Sequence, residues 1–343
     1  MSDRIKVPLN TITGFLGSGK TTILKKILES EEFGDSAVLI NEFGEIGIDG
    51  LIVNEVNQDV VVLDSGCICC TIRGELSDAI SDLLEKRRLG QIPFFSRIVL
   101  ETTGLADPAP ISATIAHDDV LKHNIVLGQT LTIVDGINWE ASCIKYPVWL
   151  AQLASCDQVW ISKRDIAAEN SIARLIKRIG VTNPYVDVVG SLDKIFTGIL
   201  VDRSIGRQFF APVTEAKNHL IDAEQGKTGH NLQGITSFKI EISDDEFDWF
   251  TFGIWLSLLL KKHGDKILRV KGVLYTSNDD FPVLIHGVQH VVHPPVHAPG
   301  LKEKDAVSRL VFITKGMEKS AVLESLYFFM NCRDKALERS DDR

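Results

Sequence analysis

The sequence predicts an α/β protein with a parallel sheet covered by helices on both faces, followed by a smaller α+β unit. In the first half of the chain, short apolar runs alternate with helical patterns, which is typical of parallel strands joined by helices. In the second half, strand and helix patterns are segregated. A chain of 343 residues is long enough for two hydrophobic cores. We therefore predict a first domain over residues 1–206, a polar linker over 207–232, a second domain over 233–332 and a polar tail over 333–343.

The first domain is predicted to contain six strands with helices between them. The strands are predicted at Val7 to Thr13, Ala37 to Asn41, Val60 to Asp64, Arg97 to Glu101, Gln129 to Asp135 and Gln158 to Ser162. The clearest helical patterns lie at Lys20 to Ser30, Arg73 to Arg88 and Ile166 to Ile179. This alternation is what a doubly covered parallel sheet requires.

The second domain is predicted to be built from strands and two helices. The strands are expected at Gly234 to Ile242, Ile267 to Thr276, Pro282 to Val292 and Ser308 to Thr314, and the helices at Asp245 to His263 and Met317 to Asn331. Apolar residues recur near helical spacing in the first of these helices, so we expect this set to lie in the core: Trp249, Phe252, Trp255, Leu256 and Leu259.

Composition and charge restrict the classes of partner. Hydrophobic residues make up 44% of the chain and charged residues 24%, which is the balance of a folded globular protein. A formal net charge of -9 disfavours a nucleic-acid surface, because such a surface needs a basic patch. The longest apolar run, Ile254 to Leu260, is too short to span a bilayer, and the first residues lack a signal-peptide pattern. We therefore expect a cytoplasmic protein with no nucleic-acid or membrane partner.

A phosphate-binding loop follows the first predicted strand. Residues 14–21 read Gly-Phe-Leu-Gly-Ser-Gly-Lys-Thr, a full match to the P-loop pattern, and a helix follows. Glycines let backbone amides turn toward phosphate oxygens, and the helix N-terminus adds partial positive charge. Lys20 is expected to reach the β- and γ-phosphates, and the Thr21 hydroxyl to ligate magnesium. The residues predicted to hold the nucleotide are Gly14, Gly17, Ser18, Gly19, Lys20, Thr21 and Thr22.

An acidic residue and a glycine follow another predicted strand. Glu101 stands at the strand end, and Gly104 comes three residues later. In a P-loop protein an acid at this place holds magnesium, usually through water, while the glycine amide can sense the γ-phosphate. We predict these two roles for Glu101 and Gly104.

The predicted base-reading element is Ser162-Lys163-Arg164-Asp165, again at a strand end. A carboxylate at Asp165 can accept hydrogen bonds from N1 and the exocyclic amine of guanine, whereas adenine offers no such pair of donors. We therefore predict that Asp165 selects GTP, with Ser162 and Lys163 in the same site. Ser162 stands where GTPases usually have Asn, and it has no amide to reach the base. A solvated surface turn is the alternative for this segment.

Three of the six cysteines form a Cys-x-Cys-Cys sequence: Cys67, Cys69 and Cys70. A chain kept in a reducing compartment does not use cysteines as a disulfide framework. Three converging thiolates suit Zn²⁺, with Cu⁺ or Co²⁺ as alternatives. We therefore predict a transition-metal site between the loop of residues 41–49 and Glu101.

These motifs together resemble those of the CobW-like GTPases, which are relatives of the UreG and HypB metallochaperones. The resemblance rests on the P-loop, Asn41 to Glu45, Gly66 to Cys70, Glu101 to Pro108 and Ser162 to Asp165, and continues through Arg269 to Gly272 and Gly287 to His290. It implies a GTPase domain joined to a small carboxy-terminal domain, with metal bound at the Cys-x-Cys-Cys site and delivered to a client metalloprotein. Many relatives carry a long histidine-rich segment between the domains, where this chain has only His219 and His230.

Four histidines lie close together in the second domain: His286, His290, His293 and His297. An auxiliary metal site and a structural or client-docking role are the two alternatives, and we favour the second. Alternation along one strand would place His293 on the face opposite His286 and His290.

The sequence therefore predicts a GTP-hydrolysing metallochaperone that uses GTP, Mg²⁺ and Zn²⁺, with Co²⁺ as the alternative cargo. Lys20, Glu42 and Glu101 are the predicted catalytic residues, and Asp49 is a further candidate for positioning magnesium or water. The sequence contains no obvious arginine finger, so a client or a second copy of the chain is expected to supply the missing group, or turnover is slow. The alternatives are a cobalt chaperone for cobalamin biosynthesis, a non-catalytic GTP-responsive regulator and, less favoured, a small-molecule kinase.

Overall fold

The computed structural model describes most of the chain as two compact units. The described residues are 6–41, 60–63, 72–184, 186–196, 234–242, 249–275, 282–297 and 307–341. The first unit holds the described residues up to 179 together with 186–196, and the second holds 180–184 and those from 234 onward. The predicted boundaries near residues 206 and 233 lie outside the described residues and stay a prediction. Within the described residues, no helix has both the length and the apolar character needed to cross a membrane.

The first unit alternates strands with helices, as predicted. Its strands are β1 (Val7–Thr13), β2 (Ser36–Asn41), β3 (Val60–Leu63), β4 (Arg97–Thr102), β5 (Ile125–Asp135), β6 (Gln158–Ser162) and β7 (Asp187–Val189). The helices of this part of the chain are α1 (Lys20–Leu28), α2 (Ile72–Arg88), α3 (Ala109–His117), α4 (Leu121–Asn124), α5 (Trp139–Lys145), α6 (Pro147–Ser155) and α7 (Glu169–Thr182). The six predicted strands are confirmed, and their ends differ from the prediction by a few residues.

The described strands of the first unit form one parallel sheet in the order β3-β2-β4-β1-β5-β6-β7. Alternate residues of each strand face opposite sides. In β2, Val38 and Ile40 pack in the core that contains α1, whereas Ala37 and Leu39 pack in the core that contains α2. Both faces of the sheet are therefore covered by helices, which confirms the predicted fold class.

This topology gathers four loops at one edge of the sheet. The carboxyl ends of parallel strands meet at the same edge, where ligands bind in open α/β sheets. The neighbouring strands β4, β1, β5 and β6 therefore bring together the segments that follow Thr102, Thr13, Asp135 and Ser162. The motifs predicted to bind nucleotide lie on these segments.

The second unit is an antiparallel sheet packed against two helices. Its strands are β8 (Ile235–Ile242), β9 (Ile267–Leu274), β10 (Val283–Val288), β11 (Val291–Val292), β12 (Val296–His297) and β13 (Ser308–Lys315), and its helices are α8 (Trp249–His263) and α9 (Lys319–Asp341). The strand order is β11-β10-β9-β13-β8, and β12 pairs with β10. Four of the five residues predicted for the core lie there, namely Phe252, Trp255, Leu256 and Leu259 of α8. The prediction is wrong for Trp249, which is the first residue of the helix and is 37% exposed.

Two predictions for the second unit are wrong in detail. The strand predicted over Pro282 to Val292 is a hairpin, in which Gln289 adopts a φ of 48° and His290 completes the turn. No glycine, asparagine or proline marks this turn, so the sequence gives no signal for it. The hairpin brings His293 beside His286 with their rings stacked, 4.4 Å between centroids, rather than on opposite faces.

The last helix also differs from the prediction. It continues through Asp341, into the stretch predicted to be a polar tail. That stretch contains Arg, Lys, Ala, Leu and Glu without glycine or proline, and these residues have high helix propensity. The polar composition of residues 333–343 was therefore not a reliable signal for the end of the helix.

Candidate functional site

The phosphate loop connects β1 to α1 through three glycines with positive φ. The φ angles are 144° at Gly14, 69° at Gly17 and 91° at Gly19, a region that side chains with a Cβ rarely adopt. A Cβ added at Gly14 would lie 2.3 Å from the carbonyl oxygen of Ile133 in β5. The loop therefore fits against the sheet only with glycine at this position.

The polar side chains of the loop have different surroundings. The Ser18 side chain is buried inside the loop, with its Oγ 2.8 Å from where a Cβ of Gly14 would stand. Lys20 Nζ donates to the carbonyl oxygen of Phe15 at 3.5 Å, so it lies across the loop. Thr22 is exposed at the start of α1. The Ser18 hydroxyl therefore lies inside the loop, whereas the Lys20 ammonium group lies across it.

The two predicted magnesium ligands contact each other. Thr21 Oγ1 donates to Glu101 Oε1 at 2.7 Å, although 80 residues separate them in the chain. The contact exists because β1 and β4 are adjacent and in register, with Ile12 opposite Glu101. Magnesium prefers oxygen ligands of these two kinds, a hydroxyl and a carboxylate. The residues present therefore fit a magnesium ion, which Thr21 and Glu101 would hold.

The loop after β4 packs directly on the phosphate loop. A Cβ added at Gly104 would lie 2.7 Å from the backbone nitrogen of Leu16. Ala106 N donates to the Thr103 carbonyl oxygen and closes a turn, and Asp107 Oδ1 accepts from Ala109 N at the start of α3. The glycine predicted to sense the γ-phosphate therefore lies against the loop that would hold that phosphate.

The base-reading segment also reaches the phosphate loop. Lys163 adopts a φ of 55°, and its Nζ donates to the Gly17 carbonyl oxygen at 3.0 Å. Ser162 lies beside Gly19, where an added Cβ would be 3.8 Å from Ser162 Cβ. The Asp165 side chain is exposed, which leaves its carboxylate accessible to a base. Lys163 and Ser162 thus approach the P-loop, and Asp165 extends from the same turn.

Asp135, at the end of β5, is a site residue that sequence reasoning did not single out. Its Oδ2 accepts from Lys163 Nζ at 2.8 Å and from Asn138 Nδ2 at 3.0 Å. Its Oδ1 accepts from the backbone amides of Ile137 and Asn138. Burial raises the pKa of this carboxyl, but the hydrogen bonds from Lys163, Asn138 and the two amides outweigh it, so the pKa lies below its usual value. An acid at the end of a strand beside β1 was the signal available in the sequence.

The predicted transition-metal site and part of the catalytic set lie outside the described residues. These are Cys67, Cys69 and Cys70 together with Glu42 and Asp49. In the described part of the chain, no three His, Cys, Asp or Glu side chains are grouped so that they could hold a metal ion.

The four clustered histidines of the second unit have separate surroundings. His290 Nδ1 lies 3.1 Å from the Leu260 carbonyl oxygen and 3.3 Å from that of Lys261, so it donates to the last turn of α8. His286 and His293 stack on each other, and His297 is exposed on β12. His290 therefore has a structural role as a helix cap, consistent with the favoured alternative.

Comparison with known proteins places the chain in a family. The model described as CobW/HypB/UreG, nucleotide-binding domain, matches residues 8–190, and the model described as Cobalamin synthesis protein cobW C-terminal domain matches residues 235–328. Zinc chaperone YjiA of Escherichia coli K12 is 30% identical over 90% of this chain and 93% of its own length. Zinc chaperone CobW of Pseudomonas aeruginosa is 26% identical over 95% and 92%.

Two further comparisons agree with this placement. Zinc-regulated GTPase metalloprotein activator 1 of Schizosaccharomyces pombe is 31% identical over 55% of this chain and 47% of its own length. The crystal structure of zinc-bound YjiA GTPase from E. coli shares the fold, with a TM-score of 0.67 and 24% identity, covering 95% of this chain and 99% of that one. The chain therefore belongs to the CobW/HypB/UreG family of P-loop GTPases, the family that the motifs resemble and one whose enzymes use GTP and Mg²⁺.

Proposed function

We propose that this GTPase is a metallochaperone, which binds zinc at Cys67, Cys69 and Cys70 and transfers it to a client metalloprotein in a nucleotide-dependent way. The observation that carries the proposal is the contact between Thr21 and Glu101 beside a glycine-shaped phosphate loop. This contact supports a magnesium-dependent GTP site on the sheet from which the cysteine segment departs.

The sheet topology supports coupling between that site and the cysteines. β2 lies between β3 and β4, and β4 carries Glu101. β3 ends at Leu63, four residues before Cys67, and its carboxyl end lies at the nucleotide edge of the sheet. The segments that contain Glu42 and the cysteines thus begin at the edge where the γ-phosphate is expected. Ordering of these segments by GTP would alter the thiolate geometry.

Each residue of the site is proposed to have a distinct role in GTP hydrolysis. Backbone amides of the P-loop hold the phosphates, Lys20 neutralises charge on the β- and γ-phosphates, and Thr21 with Glu101 would hold magnesium. A bound magnesium ion supplies charge neutralisation between the phosphates. Glu42 and Asp49 are the proposed groups for positioning magnesium or the attacking water. The group that completes catalysis is proposed to come from the client or from a second copy of the chain.

Zinc is the proposed cargo because of ligand chemistry and relatives. Three thiolates form a soft ligand set that suits Zn²⁺. Two relatives carry the name zinc chaperone, and one solved relative is zinc-bound. The description of the carboxy-terminal family model refers to cobalamin synthesis, which keeps Co²⁺ as the alternative cargo. We propose that the protein works in the cytoplasm.

Single-turnover GTP hydrolysis with and without stoichiometric metal tests the proposal. Zn²⁺ should change the hydrolysis rate of the wild-type chain and should leave the rate of the Cys67→Ser/Cys69→Ser/Cys70→Ser variant unchanged. A response to Co²⁺ alone would favour the cobalt alternative. Absence of hydrolysis under every condition, despite tight GTP binding, would favour the non-catalytic regulator.

A further inference from the structure

Gln152, on α6, connects that helix to the loop predicted to sense the γ-phosphate. Its side chain has 0% of its surface exposed, and its Nε2 donates to the carbonyl oxygens of Gly104 at 3.2 Å and Ala106 at 3.0 Å. Both partners are carbonyls, so the amide nitrogen must face them. We propose that Gln152 is a positioning residue for the GTPase reaction, which holds this loop against the phosphate loop in the conformation that GTP requires.

The helix that carries Gln152 is itself anchored to the sheet. Thr132 Oγ1 in β5 donates to the Gln152 carbonyl oxygen at 3.1 Å, and Thr132 is buried. The Gln152 side chain therefore extends from a fixed point of the core to the loop. Two hydrogen bonds from one amide fix two peptide units of the loop at the same time.

Fixing the carbonyl groups also fixes amides on the opposite side. The peptide unit is planar and trans, so the Leu105 N–H points away from Gln152 when the Gly104 carbonyl points toward it. The same holds for the Asp107 N–H and the Ala106 carbonyl. Gly104 also lies against the phosphate loop, since a Cβ added there would be 2.7 Å from the backbone nitrogen of Leu16. Gln152 thereby fixes the orientation of two peptide units in a loop that contacts the phosphate loop.

Among the described residues, the hydrogen bonds of the Gln152 side chain go to this loop alone. Its Oε1 is buried and has no hydrogen-bond partner among the described residues. An apolar side chain of the same size would leave the Gly104 and Ala106 carbonyl oxygens without these donors.

The affinity ratio between GTP and GDP is the readout, because only GTP has the γ-phosphate. In the Gln152→Met variant the two hydrogen bonds that hold the loop are absent. Part of the free energy of GTP binding must then be used to order the loop. The GTP affinity should fall by roughly 5- to 30-fold, the effect of two neutral hydrogen bonds. GDP affinity should fall by a smaller factor, because GDP lacks the γ-phosphate that this loop is expected to sense.

Gln158→Met is the matched control. Gln158 is also a buried glutamine, whose Nε2 donates to the Lys194 carbonyl oxygen and whose Oε1 accepts from Phe196 N, both at 2.9 Å. Its side chain also forms a hydrogen bond with Asp187. It does not contact the loop after β4, so the control should lose stability while its GTP-to-GDP affinity ratio stays at the wild-type value. An equal ratio in wild type and Gln152→Met, or an equal drop in both variants, would overturn the inference.

The inference rests on the proposed GTP binding at the phosphate loop. The experiment distinguishes failure of that proposed function from failure of the role of Gln152. Wild type that does not bind GTP would refute the proposed function, whereas wild type that binds GTP while Gln152→Met keeps the wild-type ratio would refute only the role of Gln152. Gln152→Glu is the second variant if the methionine variant does not fold. Its buried carboxyl, when protonated, donates to one carbonyl, so its GTP-to-GDP ratio should fall between those of wild type and Gln152→Met. An unchanged ratio in that variant would equally refute the role.

Discussion

The ion pair between Asp135 and Lys163 connects the end of β5 with the base-reading segment and the phosphate loop, which makes Asp135→Asn an informative change. The Asn Oδ1 can still accept from the amides of Ile137 and Asn138. Its Nδ2 would face Lys163 Nζ and Asn138 Nδ2, so two accepted hydrogen bonds are lost. Lys163 would then be held only by the Gly17 carbonyl oxygen, at 3.0 Å.

The expected magnitude follows from the exposure of the pair. A hydrogen bond to a charged group contributes about 1.5–3 kcal/mol when buried. The Lys163 side chain is 37% exposed and that of Asp135 is 12% exposed, so solvent screening lowers the value. We expect a loss of about 1–2 kcal/mol in nucleotide binding, equivalent to roughly a 5- to 30-fold weaker GDP affinity. Titration with a fluorescent GDP analogue measures it.

Asp118→Asn is the matched control for this change. Asp118 Oδ1 also accepts two backbone amides, from Val120 and Leu121, and its Oδ2 accepts from Ser77 Oγ, but no lysine of the nucleotide site contacts it. The control should keep wild-type GDP affinity. Asp135→Asn with wild-type GDP affinity would refute the role given to the ion pair.

The pH dependence of the same ion pair follows from the lowered pKa of Asp135. The carboxyl of an unfolded chain titrates near about 3.9, and the folded value lies below it. Its stabilising contribution is therefore complete at pH 7 and at pH 5 and is lost as the pH falls through the folded pKa. The difference in unfolding free energy between wild type and Asp135→Asn should be constant from pH 5 to pH 8 and shrink below about pH 4. A difference that changes between pH 5 and pH 8 would contradict this assignment.

Two further predictions concern the nucleotide site. Lys20→Ala should abolish GTP hydrolysis with an unchanged circular dichroism spectrum, because the lysine charge is needed at the β- and γ-phosphates; wild-type turnover by the folded variant would disprove its role. Asp165→Asn should shift the preference from GTP toward xanthosine triphosphate, because an amide can donate where the carboxylate accepted. Competition binding of the two nucleotides measures the shift, and an unchanged GTP affinity would remove Asp165 from the base site.

The parts of the fold that the sequence predicted are those set by local patterns. The P-loop was predictable because its glycines, lysine and threonine are contiguous and follow an apolar strand. The pairing of Thr21 with Glu101 was also predictable, since the carboxyl ends of parallel strands meet at one edge. The structure adds the 2.7 Å contact between them.

The parts that were missed depend on tertiary neighbours. Gln152 is a polar residue in a short helix, and only the packing of α6 against the loop after β4 gives it two acceptors. Asp135 gains its role from Lys163, 28 residues further along the chain. The hairpin at Gln289 has no turn residue, and its His290 is fixed by the end of α8. No local pattern encodes such contacts.

The proposed coupling between nucleotide and metal binding is tested by the zinc affinity of the chain in two nucleotide states. Competition with a chelating dye would measure this affinity for the chain bound to a non-hydrolysable GTP analogue and for the chain bound to GDP. Coupling between sites is typically about 1–3 kcal/mol, so the two affinities should differ by roughly 5- to 150-fold. Zinc should change the affinity for the GTP analogue relative to GDP by the same factor, as linkage requires.

The Cys67→Ser/Cys69→Ser/Cys70→Ser variant is the control for this measurement. It should still bind nucleotide at the phosphate loop, and zinc should no longer affect its GTP affinity. If nucleotide and metal binding are coupled, the zinc affinity of the wild-type chain differs between the two nucleotide states. This difference is lost in the serine variant. Equal zinc affinities in the two states would contradict the coupling and leave a GTPase whose metal site is independent of the nucleotide.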